Sequence, residues 1–568
     1  MKQPNKEMDQ ALLPEGEPVP GEELLFLPLG GSGEIGMNLN LYGSEGAWII
    51  VDLGVTFSDD SMPWIDIITP DPAFIESQRD RLAGIVLTHA HEDHIGAVPH
   101  LWPRLQCPIY ATSFTASILR RKLREMGLEK EAIITEIPLS GSFEVGPFTI
   151  DLITLTHSIP EPNAVVIHSA HGTVLHTGDW KLDPNPIVGE VTDERALREL
   201  GEGGVLAMVC DSTNVFTEGA SGSEGNLRES LEKLVGCYDS GRVVVGCFAS
   251  NIARLSTLAR VAEANNRHAA LIGRSLWSFY ESAKENGYLT DIPEFLTEYD
   301  VERLPRDQVL LICTGSQGEP RAAFSRIASG NHPRVELENG DVAIFSSRII
   351  PGNEKSIARL QNRLVALGVE VVTEKDHFIH VSGHPGRDEL TRMYQWVNPR
   401  VVVPVHGEIR HLHEQAKLAR SCQIPQAVEI ENGIVLRLAP GDTEIVGRVH
   451  SGRLTLDGNR LVPLDGSMMA ARKRVIFNGS MAVTVVIDGD GELLSDPVIS
   501  APGYFTEKGD EAFIRKLIAA ASAAVGSLAG SSARNEDEVG EAVRCAVRKA
   551  FFLKRTQRPV TQVHVVRL

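Results

Sequence analysis

Four possible metal ligands stand within six residues of this chain, directly after an apolar run. The run LAGIVL at 82–87 is followed by His89, His91, Asp93 and His94. An ordinary helix or strand cannot turn all four side chains to one side, but a loop leaving a sheet edge can bring them together. Neutral imidazoles and carboxylates suit Zn²⁺ and Mn²⁺. The motif therefore predicts a sheet whose edge carries a metal site.

Three further candidate ligands each follow a predicted strand. His157 follows DLITLT, Asp179 follows VLHTG, and His406 follows VVVPV. They would add a third His for one metal, a bridging carboxylate, and another His for a second metal. Two metals about 3.5–4 Å apart are a common device for holding an attacking water and a phosphate together. The sequence thus predicts a two-metal site.

The chain of 568 residues is too long for a single core, and its pattern changes several times. Short strands and Gly-rich turns fill residues 23–214, with a helix predicted over 113–127 that Ser113 caps and Gly127 ends. Helical and buried-strand patterns alternate over 215–374, which favours a parallel α/β sheet. His-bearing strands return over 375–450. We therefore expect an α/β domain inserted into the first one.

The two ends of the chain differ from this pattern. Residues 1–22 are polar and acidic, and we expect a flexible tail without a signal peptide. Residues 451–465 are predicted to be a linker or a small hairpin. Residues 466–568 follow the order strand, strand, helix, helix, strand, which indicates a small α+β domain. Basic residues near its end, between Arg544 and Arg558, favour a solvated helix face over an RNA-contacting patch.

Composition limits the remaining possibilities. The chain has no run of 18 apolar residues, so we predict no membrane span. Its seven cysteines form no CxxC pair, as in a reduced cytoplasmic protein. The net charge of −20 argues against tight non-specific RNA binding. It leaves RNA open as a substrate, because net charge acts at long range and not inside a cleft.

The HxHxDH motif, followed by a His and an Asp at later strand ends, resembles the metallo-β-lactamase fold. The resemblance implies an αββα sandwich in which Asp52 supports the metal loop. It assigns one zinc to His89, His91 and His157, and the other to Asp93, His94 and His406. Asp179 would lie between the two metals.

Three further motifs resemble the β-CASP branch of this fold: CDSTN at 210–214, HVSGH at 380–384 and VHG at 405–407. The predicted insertion at 215–374 is typical of that branch, and His406 favours its RNA-processing members. Longer stretches are similar to the ribonuclease J family, among them LGGSGEIGMN at 29–38, HTGDWKLDPNP at 176–186 and ICTGSQGEP at 312–320. The family layout also includes a small C-terminal domain.

The resemblance implies a ribonuclease that cleaves single-stranded RNA from the 5′ end, prefers a 5′-monophosphate, and also acts as an endonuclease. Asp93 would orient the attacking water or accept its proton, and His384 would contact the phosphate or protonate the leaving oxygen. Asp211 would support the site. The residues expected to bind RNA phosphate are His380, Ser382, Gly383, His384 and Arg274. A surface ion pair would explain Arg274 equally well.

Two departures from the family pattern concern recognition of the RNA end. Pro385-Gly386 stands where a pair of small residues is more usual, and Arg348 stands where a small or polar residue is more usual. We expect both positions near the RNA path.

The implied cofactors are two Zn²⁺ ions, with Mn²⁺ or Mg²⁺ as substitutes. Expected partners are single-stranded RNA, further copies of this chain in a homodimer or tetramer, and an RNA-degradation complex, in the cytoplasm. Two alternatives remain open. One is a β-CASP scaffold with little catalysis, and the other is a small-molecule zinc hydrolase of the same fold.

Overall fold

The computed structural model describes residues 20–58, 62, 64–350, 352–505, 510–528, 532 and 535–568. Residues 1–19 of the predicted tail lie outside this part of the chain. The chain divides into two compact units at Leu461/Val462.

Two twisted sheets face each other in the first unit. The first has eight strands, in the spatial order Glu444–Arg448, Ile434–Ala439, Leu24–Gly30, Leu39–Ser44, Ala47–Leu53, Leu82–Val86, Ile109–Ala111 and Ile134–Glu136. The second has seven, in the order Ser142–Val145, Phe148–Thr154, Asn163–Ser169, Gly172–His176, Ala207–Asp211, Val401–Val405 and Gln426–Ala427. Apolar side chains of both inner faces, such as Phe26 and Phe148, form one core between the sheets.

Helices cover the outer faces of both sheets. Those beside the first sheet are Ala73–Ser77, Glu92–Ile95, Val98–Leu105 and Ser113–Glu125, with a 3₁₀ turn at Arg79–Arg81. Those beside the second are Glu194–Gly203, Arg387–Val397 and Ile409–Ser421. The helix predicted over 113–127 is present, but Thr112 and not Ser113 occupies the capping position. Gly127 has a φ of +74°, which ends the helix as expected.

The inserted region forms a separate five-stranded sheet. Its strands are all parallel and lie in the order His268–Ile272, Val309–Cys313, Val243–Gly246, Val342–Phe345 and Glu370–Val372. Its helices are Glu224–Val235, Ile252–Ala264, Arg274–Glu285, Glu298–Val301, Ala323–Ala328 and Glu354–Ala366, with a 3₁₀ turn at Arg306–Gln308. The buried β-branched runs in the strands explain why helices cover both faces.

Two short pairings connect distant parts of the first unit. Strand Ser32–Gly33 pairs with Gly407–Glu408, which brings the Gly-rich N-terminal loop to the end of the His406 strand. Strand Arg453–Asp457, in the stretch predicted to be a linker or hairpin, pairs with Ile67–Pro70, and that strand pairs with Thr56–Phe57. Strand Arg460–Pro463 follows, and the division between the two units falls within it.

The second unit is a small α+β fold. Helix Ser467–Asn478 precedes strands Ser480–Ile487 and Val498–Ser500, helices Glu511–Gly526 and Glu536–Arg555, and strand Val560–Arg567. The predicted order is present, but the prediction missed the first helix. Among the described residues, no helix of the chain combines the length and apolar character needed to cross a membrane.

We expect Asn535→Ala to destabilise the second unit by about 1 kcal/mol. The Asn535 side chain accepts hydrogen bonds from the backbone N–H groups of Asp537 and Glu538, at the start of helix Glu536–Arg555. Alanine leaves both donors to water. Urea unfolding of the full chain, followed by a probe in this unit, measures the change. Asn535→Asp keeps the acceptor and serves as the control, and equal midpoints for wild type and Asn535→Ala would contradict the prediction.

Candidate metal centre

All seven predicted ligands lie where a strand ends at one edge of the sandwich. The strand Leu82–Val86 leads to His89 and His91, and then to helix Glu92–Ile95, which carries Asp93 and His94. The motif is thus a loop with one helical turn, and not a loop throughout as the sequence suggested. His157, Asp179 and His406 follow strands Phe148–Thr154, Gly172–His176 and Val401–Val405 of the facing sheet.

The first group of side chains consists of His89, His91, His157 and Asp179. His91 Nδ1 lies 3.0 Å from His89 Nε2 and 3.1 Å from His157 Nε2. Asp179 Oδ2 lies 3.8 Å from the same His89 atom and 3.9 Å from the same His157 atom. One donor atom of each residue lies within 4.8 Å of all the others.

The second group consists of Asp93, His94, His406 and, again, Asp179. Asp179 Oδ2 lies 3.2 Å from His94 Nε2, and its other oxygen lies 3.6 Å from His406 Nε2. Asp93 Oδ2 lies 3.5 Å from His406 Nε2 and 3.8 Å from His94 Nε2. The Asp179 carboxylate therefore belongs to both groups.

The chemistry of both groups fits divalent cations. Ring nitrogens that bind one Zn²⁺ at 2.0–2.1 Å stand roughly 3.4 Å apart, close to the spacing in the first group. Asp179 Oδ1 is buried without a hydrogen-bond partner in the described structure. An unpaired buried carboxylate oxygen is costly unless a cation neutralises it. Converging nitrogens and this oxygen together indicate a divalent metal-binding site.

Burial keeps the imidazoles of the first group in the form that binds metals. It lowers the pKa of His91 to about 4, and it holds the pKa values of His89 and His157 well below their usual range. Neutral imidazole has a lone pair for a metal, and imidazolium does not. Burial also opposes protonation of His94, but the carboxylates of Asp179 and Asp52 outweigh it and raise the pKa of His94.

Asp52 lies beneath the metal loop, where the resemblance placed it. It is fully buried and accepts hydrogen bonds from the Thr88 backbone N–H and hydroxyl, both at 2.8 Å. His94 Nδ1 lies 2.6 Å from Asp52 Oδ2. If that nitrogen donates to the carboxylate, the opposite ring nitrogen keeps its lone pair for the metal site.

The HVSGH loop contacts the first group through its glycine. His157 Nδ1 lies 2.5 Å from the Gly383 carbonyl oxygen, so that Nε2 faces the group. A Cβ atom at Gly383 would stand 2.7 Å from His157 Cε1, too close for any side chain. Gly383 therefore allows the loop to approach the histidine ring.

His384 lies beside the shared carboxylate. Its Nδ1 atom lies 2.8 Å from Asp211 Oδ2 and 3.9 Å from Asp179 Oδ2. Burial alone would lower the pKa of His384, but the carboxylates of Asp211 and Asp179 raise that pKa to about 9. Asp211 thus orients the ring and favours its protonated form.

Apart from Arg274, the other predicted phosphate contacts lie on the same loop. His384 N donates to Ser382 Oγ at 3.1 Å, which makes the turn compact. His380 Nδ1 is buried with no hydrogen-bond partner in the described structure. Burial and the nearby cations Arg254, Arg348 and Lys181 hold the pKa of His380 well below its usual range. The loop therefore combines an unpartnered polar atom with three nearby cations, of which Arg254 and Lys181 are paired with the carboxylates of Glu224 and Asp183.

A fully buried arginine anchors the start of this loop. Arg254 pairs with Glu224 at 3.0 Å and donates to the backbone oxygens of Ser346 and Ile379. Ile379 directly precedes His380. The inserted domain thus fixes one end of the loop, and the metal centre fixes the other through Gly383.

The two departures from the family pattern occupy different surroundings. Arg348 donates to Asn214 Oδ1 at 2.5 Å, and Asn214 donates to the His384 carbonyl oxygen, so Arg348 lies near the loop. Gly386 caps helix Arg387–Val397 and is buried, and a Cβ atom there would stand 2.4 Å from the Gly219 oxygen. Its role is to pack the helix start.

Within the described residues, Arg274 makes no hydrogen bond or ion pair with either ligand group. Arg274 is exposed at the start of helix Arg274–Glu285, after strand His268–Ile272 of the inserted sheet. Sequence reasoning also missed Asn38, which contacts both His94 and His406. No spacing rule connects Asn38 with residues 56 and 368 positions away.

The fold and the two ligand groups define a metal-dependent hydrolase of the metallo-β-lactamase type. Four family models match the chain: "Metallo-beta-lactamase superfamily" at 37–237, "Ribonuclease J, beta-CASP domain" at 240–364, "Zn-dependent metallo-hydrolase RNA specificity domain" at 352–430, and "Ribonuclease J C-terminal domain" at 467–568. They confirm the predicted fold class, with its β-CASP insertion and C-terminal domain.

Curated relatives give the more specific assignment. Ribonuclease J of Sinorhizobium meliloti is 43% identical over 96% of this chain and 98% of its own length. Ribonuclease J of Mycolicibacterium smegmatis is 40% identical over 84% of this chain and 86% of its own. The chain belongs to the ribonuclease J family, as the sequence motifs indicated, and is a nuclease acting on RNA.

A solved structure agrees with the fold. It is described as a protein of unknown function from Enterococcus faecalis V583, and it covers 73% of this chain and 100% of its own. The TM-score is 0.50 and the identity 14%, so this likeness concerns the fold alone.

Proposed function

We propose that this protein is a zinc-dependent ribonuclease that degrades single-stranded RNA from its 5′ end, prefers a 5′-monophosphate, and also cleaves internally. Its tasks would be mRNA decay and rRNA maturation in the cytoplasm. The observation that carries the proposal is the pair of ligand groups that share Asp179, with His384 3.9 Å from that carboxylate. Two adjacent cations and a proton donor are what phosphodiester hydrolysis requires.

The two ligand groups divide the metals between them. His89, His91 and His157 would hold one ion, Asp93, His94 and His406 the other, and Asp179 both. When bound, the ions would lower the pKa of an attacking water and neutralise charge on the phosphate oxygens. Zn²⁺ suits the mixture of imidazole and carboxylate, and Mn²⁺ or Mg²⁺ would be substitutes.

Asp93 and His384 carry the proton transfers in this proposal. The Asp93 side chain is 31% exposed, whereas those of His94, His406 and Asp179 are 2–3% exposed. Asp93 can therefore reach the attacking water. His384 is held through Nδ1 by Asp211, which leaves Nε2 to donate a proton to the leaving 3′-oxygen. The products would be a 5′-phosphate and a 3′-hydroxyl.

The HVSGH loop would recognise the RNA phosphate. His380 Nδ1 has no partner in the described structure, and Arg254, Arg348 and Lys181 are close enough to lower the pKa of this ring. Ser382 and the backbone of Gly383 stand between His380 and His384, and backbone N–H groups of a tight turn bind anions well. This arrangement supports a preference for a terminal monophosphate. A homodimer or tetramer and an RNA-degradation complex stay predictions.

The test compares two RNAs with a 3′-end label, one with a 5′-monophosphate and one with a 5′-triphosphate. We expect shortening from the 5′ end in Zn²⁺ or Mn²⁺, roughly tenfold or more faster on the monophosphate. A pocket that fits one phosphate would lose a charged contact, worth about 1.5–3 kcal/mol, when the bulkier triphosphate has to enter it. Removal of metal with a chelator should abolish cleavage, and added Zn²⁺ should restore it.

His91→Ala provides the control for contaminating nucleases, because it removes the nitrogen closest to two other ligands. Cleavage that survives in this variant would not belong to the metal centre. Failure of the metal-loaded wild type to cleave either RNA would contradict the proposed activity.

A further inference from the structure

Asn38 contacts three residues of the second ligand group. Its side-chain amide nitrogen lies 3.0 Å from the Asp93 carbonyl oxygen, 3.0 Å from His406 Nδ1 and 3.3 Å from His94 Nε2. Its amide oxygen lies 3.2 Å from the same His406 nitrogen. The side chain is 2% exposed, so water cannot replace these contacts.

The backbone holds Asn38 in a fixed place. The Asn38 N–H also donates to the Asp93 carbonyl oxygen at 3.0 Å, and Gly54 N–H donates to the Asn38 carbonyl oxygen at 2.8 Å. The preceding residue, Met37, has a φ of 53° and opens the turn into strand Leu39–Ser44. Two bonds to one carbonyl oxygen lock the amide beside the metal loop.

In one assignment of the Asn38 side-chain amide, both its nitrogen and its oxygen form hydrogen bonds. The nitrogen then donates to the Asp93 carbonyl oxygen, and the oxygen accepts a proton from His406 Nδ1. His406 Nε2 keeps its lone pair, directed at Asp93 Oδ2 and Asp179 Oδ1, 3.5 and 3.6 Å away. With a cation on Nε2, the ring proton would be on Nδ1, and Asn38 Oδ1 would be its acceptor at 3.2 Å. In the other tautomer, the Asn38 amide nitrogen at 3.0 Å and the Gly36 N–H at 3.4 Å would donate to Nδ1.

The first ligand group has different supports. Thr88 Oγ1 lies 2.9 Å from His89 Nδ1, and the Gly383 oxygen holds His157. Within the described structure, Asn38 makes no hydrogen bond to His89, His91 or His157. An effect of Asn38 should therefore fall on one metal site and spare the other.

We infer that Asn38 is a positioning residue that sets the tautomer and orientation of His406 and thereby the occupancy of the second metal site. This inference rests on the proposed function, since it takes the two groups to be metal sites. A partner that orients a ligating histidine typically changes metal affinity by about 10–100-fold. Replacing Asn38 should therefore weaken the affinity of the second site by this factor and leave the affinity of the first site unchanged.

The test measures bound Zn²⁺ in the full-length protein, by metal analysis after dialysis and by competition with a chromophoric chelator. We expect two ions in the wild type. In Asn38→Ala, we expect one ion held as in the wild type and the second held 10–100-fold more weakly. Asn38→Asp keeps the acceptor for His406 and should hold the second ion within about threefold of the wild type, because it preserves the bond that fixes the tautomer.

Asn40→Ala is the matched control. Asn40 is fully buried two residues farther along, and its amide atoms have no hydrogen-bond partner among the described residues. Its loss should leave both affinities unchanged. Thermal unfolding of the metal-free variants shows whether each one folds. If Asn38→Ala does not fold, Asn38→Leu takes its place, because it has a similar shape but no acceptor for His406, and the same 10–100-fold loss at the second site is expected.

The outcomes separate this inference from the proposed function. A wild type that binds fewer than two ions contradicts the two-metal proposal itself. A wild type with two ions overturns the role of Asn38 if Asn38→Ala binds both equally well or weakens both alike. Loss of the second ion in Asn38→Asp, to the extent seen in Asn38→Ala, also overturns it.

Discussion

Replacing Asp179 with Asn is expected to reduce RNA cleavage by roughly 10³-fold or more, which corresponds to about 4 kcal/mol of transition-state stabilisation. The carboxylate is the one side chain common to both ligand groups, with Oδ2 3.2 Å from His94 Nε2 and Oδ1 3.6 Å from His406 Nε2. The amide has nearly the same shape but lacks the charge that would neutralise two cations. Single-turnover cleavage of a 5′-monophosphorylated RNA measures the loss.

The same variant should bind less Zn²⁺ at both sites. Asp341→Asn is a suitable control, because Asp341 is also a buried carboxylate but accepts hydrogen bonds from Arg242 N and Glu338 N in the inserted domain. It should alter stability and leave the metal content unchanged. The bridging role would be refuted if Asp179→Asn kept two ions and cleaved RNA within tenfold of the wild-type rate.

Much of this site could be predicted because its residues stand at strand ends. A strand that leaves a buried sheet brings the next few residues to the sheet edge, whatever their separation along the chain. His157, Asp179 and His406 come from three strands of one sheet, and the motif from His89 to His94 comes from the facing sheet. An apolar run followed by a His or an Asp was therefore enough to predict that these ligands lie close together.

The contacts that orient the ligands could not be predicted in this way. Asn38 is 368 residues from His406, and Gly383 is 226 residues from His157. Asn and Gly have many structural uses in turns, so neither residue indicates metal chemistry by itself. Their roles depend on contacts at hydrogen-bond distance. Those contacts form only when the two sheets and the inserted domain pack together, which no local sequence pattern shows.

Two helices were not predicted because their apolar residues do not recur with a helical period. Helix Ser467–Asn478 was missed because it ends in the apolar triplet Val475, Ile476 and Phe477, all exposed, and not in an apolar stripe. The same kind of error placed Asp93 and His94 on a loop. A single turn such as Glu92–Ile95 is too short to show any periodicity.

His384→Ala is expected to lower the rate of RNA cleavage by about 10²–10⁴-fold, the usual contribution of a general acid. The His384 ring is held by Asp211 at 2.8 Å, and it lies 3.9 Å from the shared carboxylate. Its loss removes the proton donor for the leaving 3′-oxygen. Because His384 also belongs to a group of possible ligands with Asp179, Asp211 and His406, Zn²⁺ content must be measured in parallel, and we expect it to stay at the wild-type value.

A substrate with a better leaving group separates proton donation from phosphate binding. An RNA with sulfur in place of the scissile 3′-oxygen needs little protonation, since a thiolate leaves readily. His384→Ala should cleave it within about tenfold of the wild-type rate, because the step that the histidine assists is no longer slow. His168→Ala is the matched control: His168 makes a similar pair with Asp151 at 2.9 Å, on a partly exposed strand, and its loss should change neither rate. Equal losses on the oxygen and sulfur substrates would show that His384 binds the phosphate and does not protonate the leaving group.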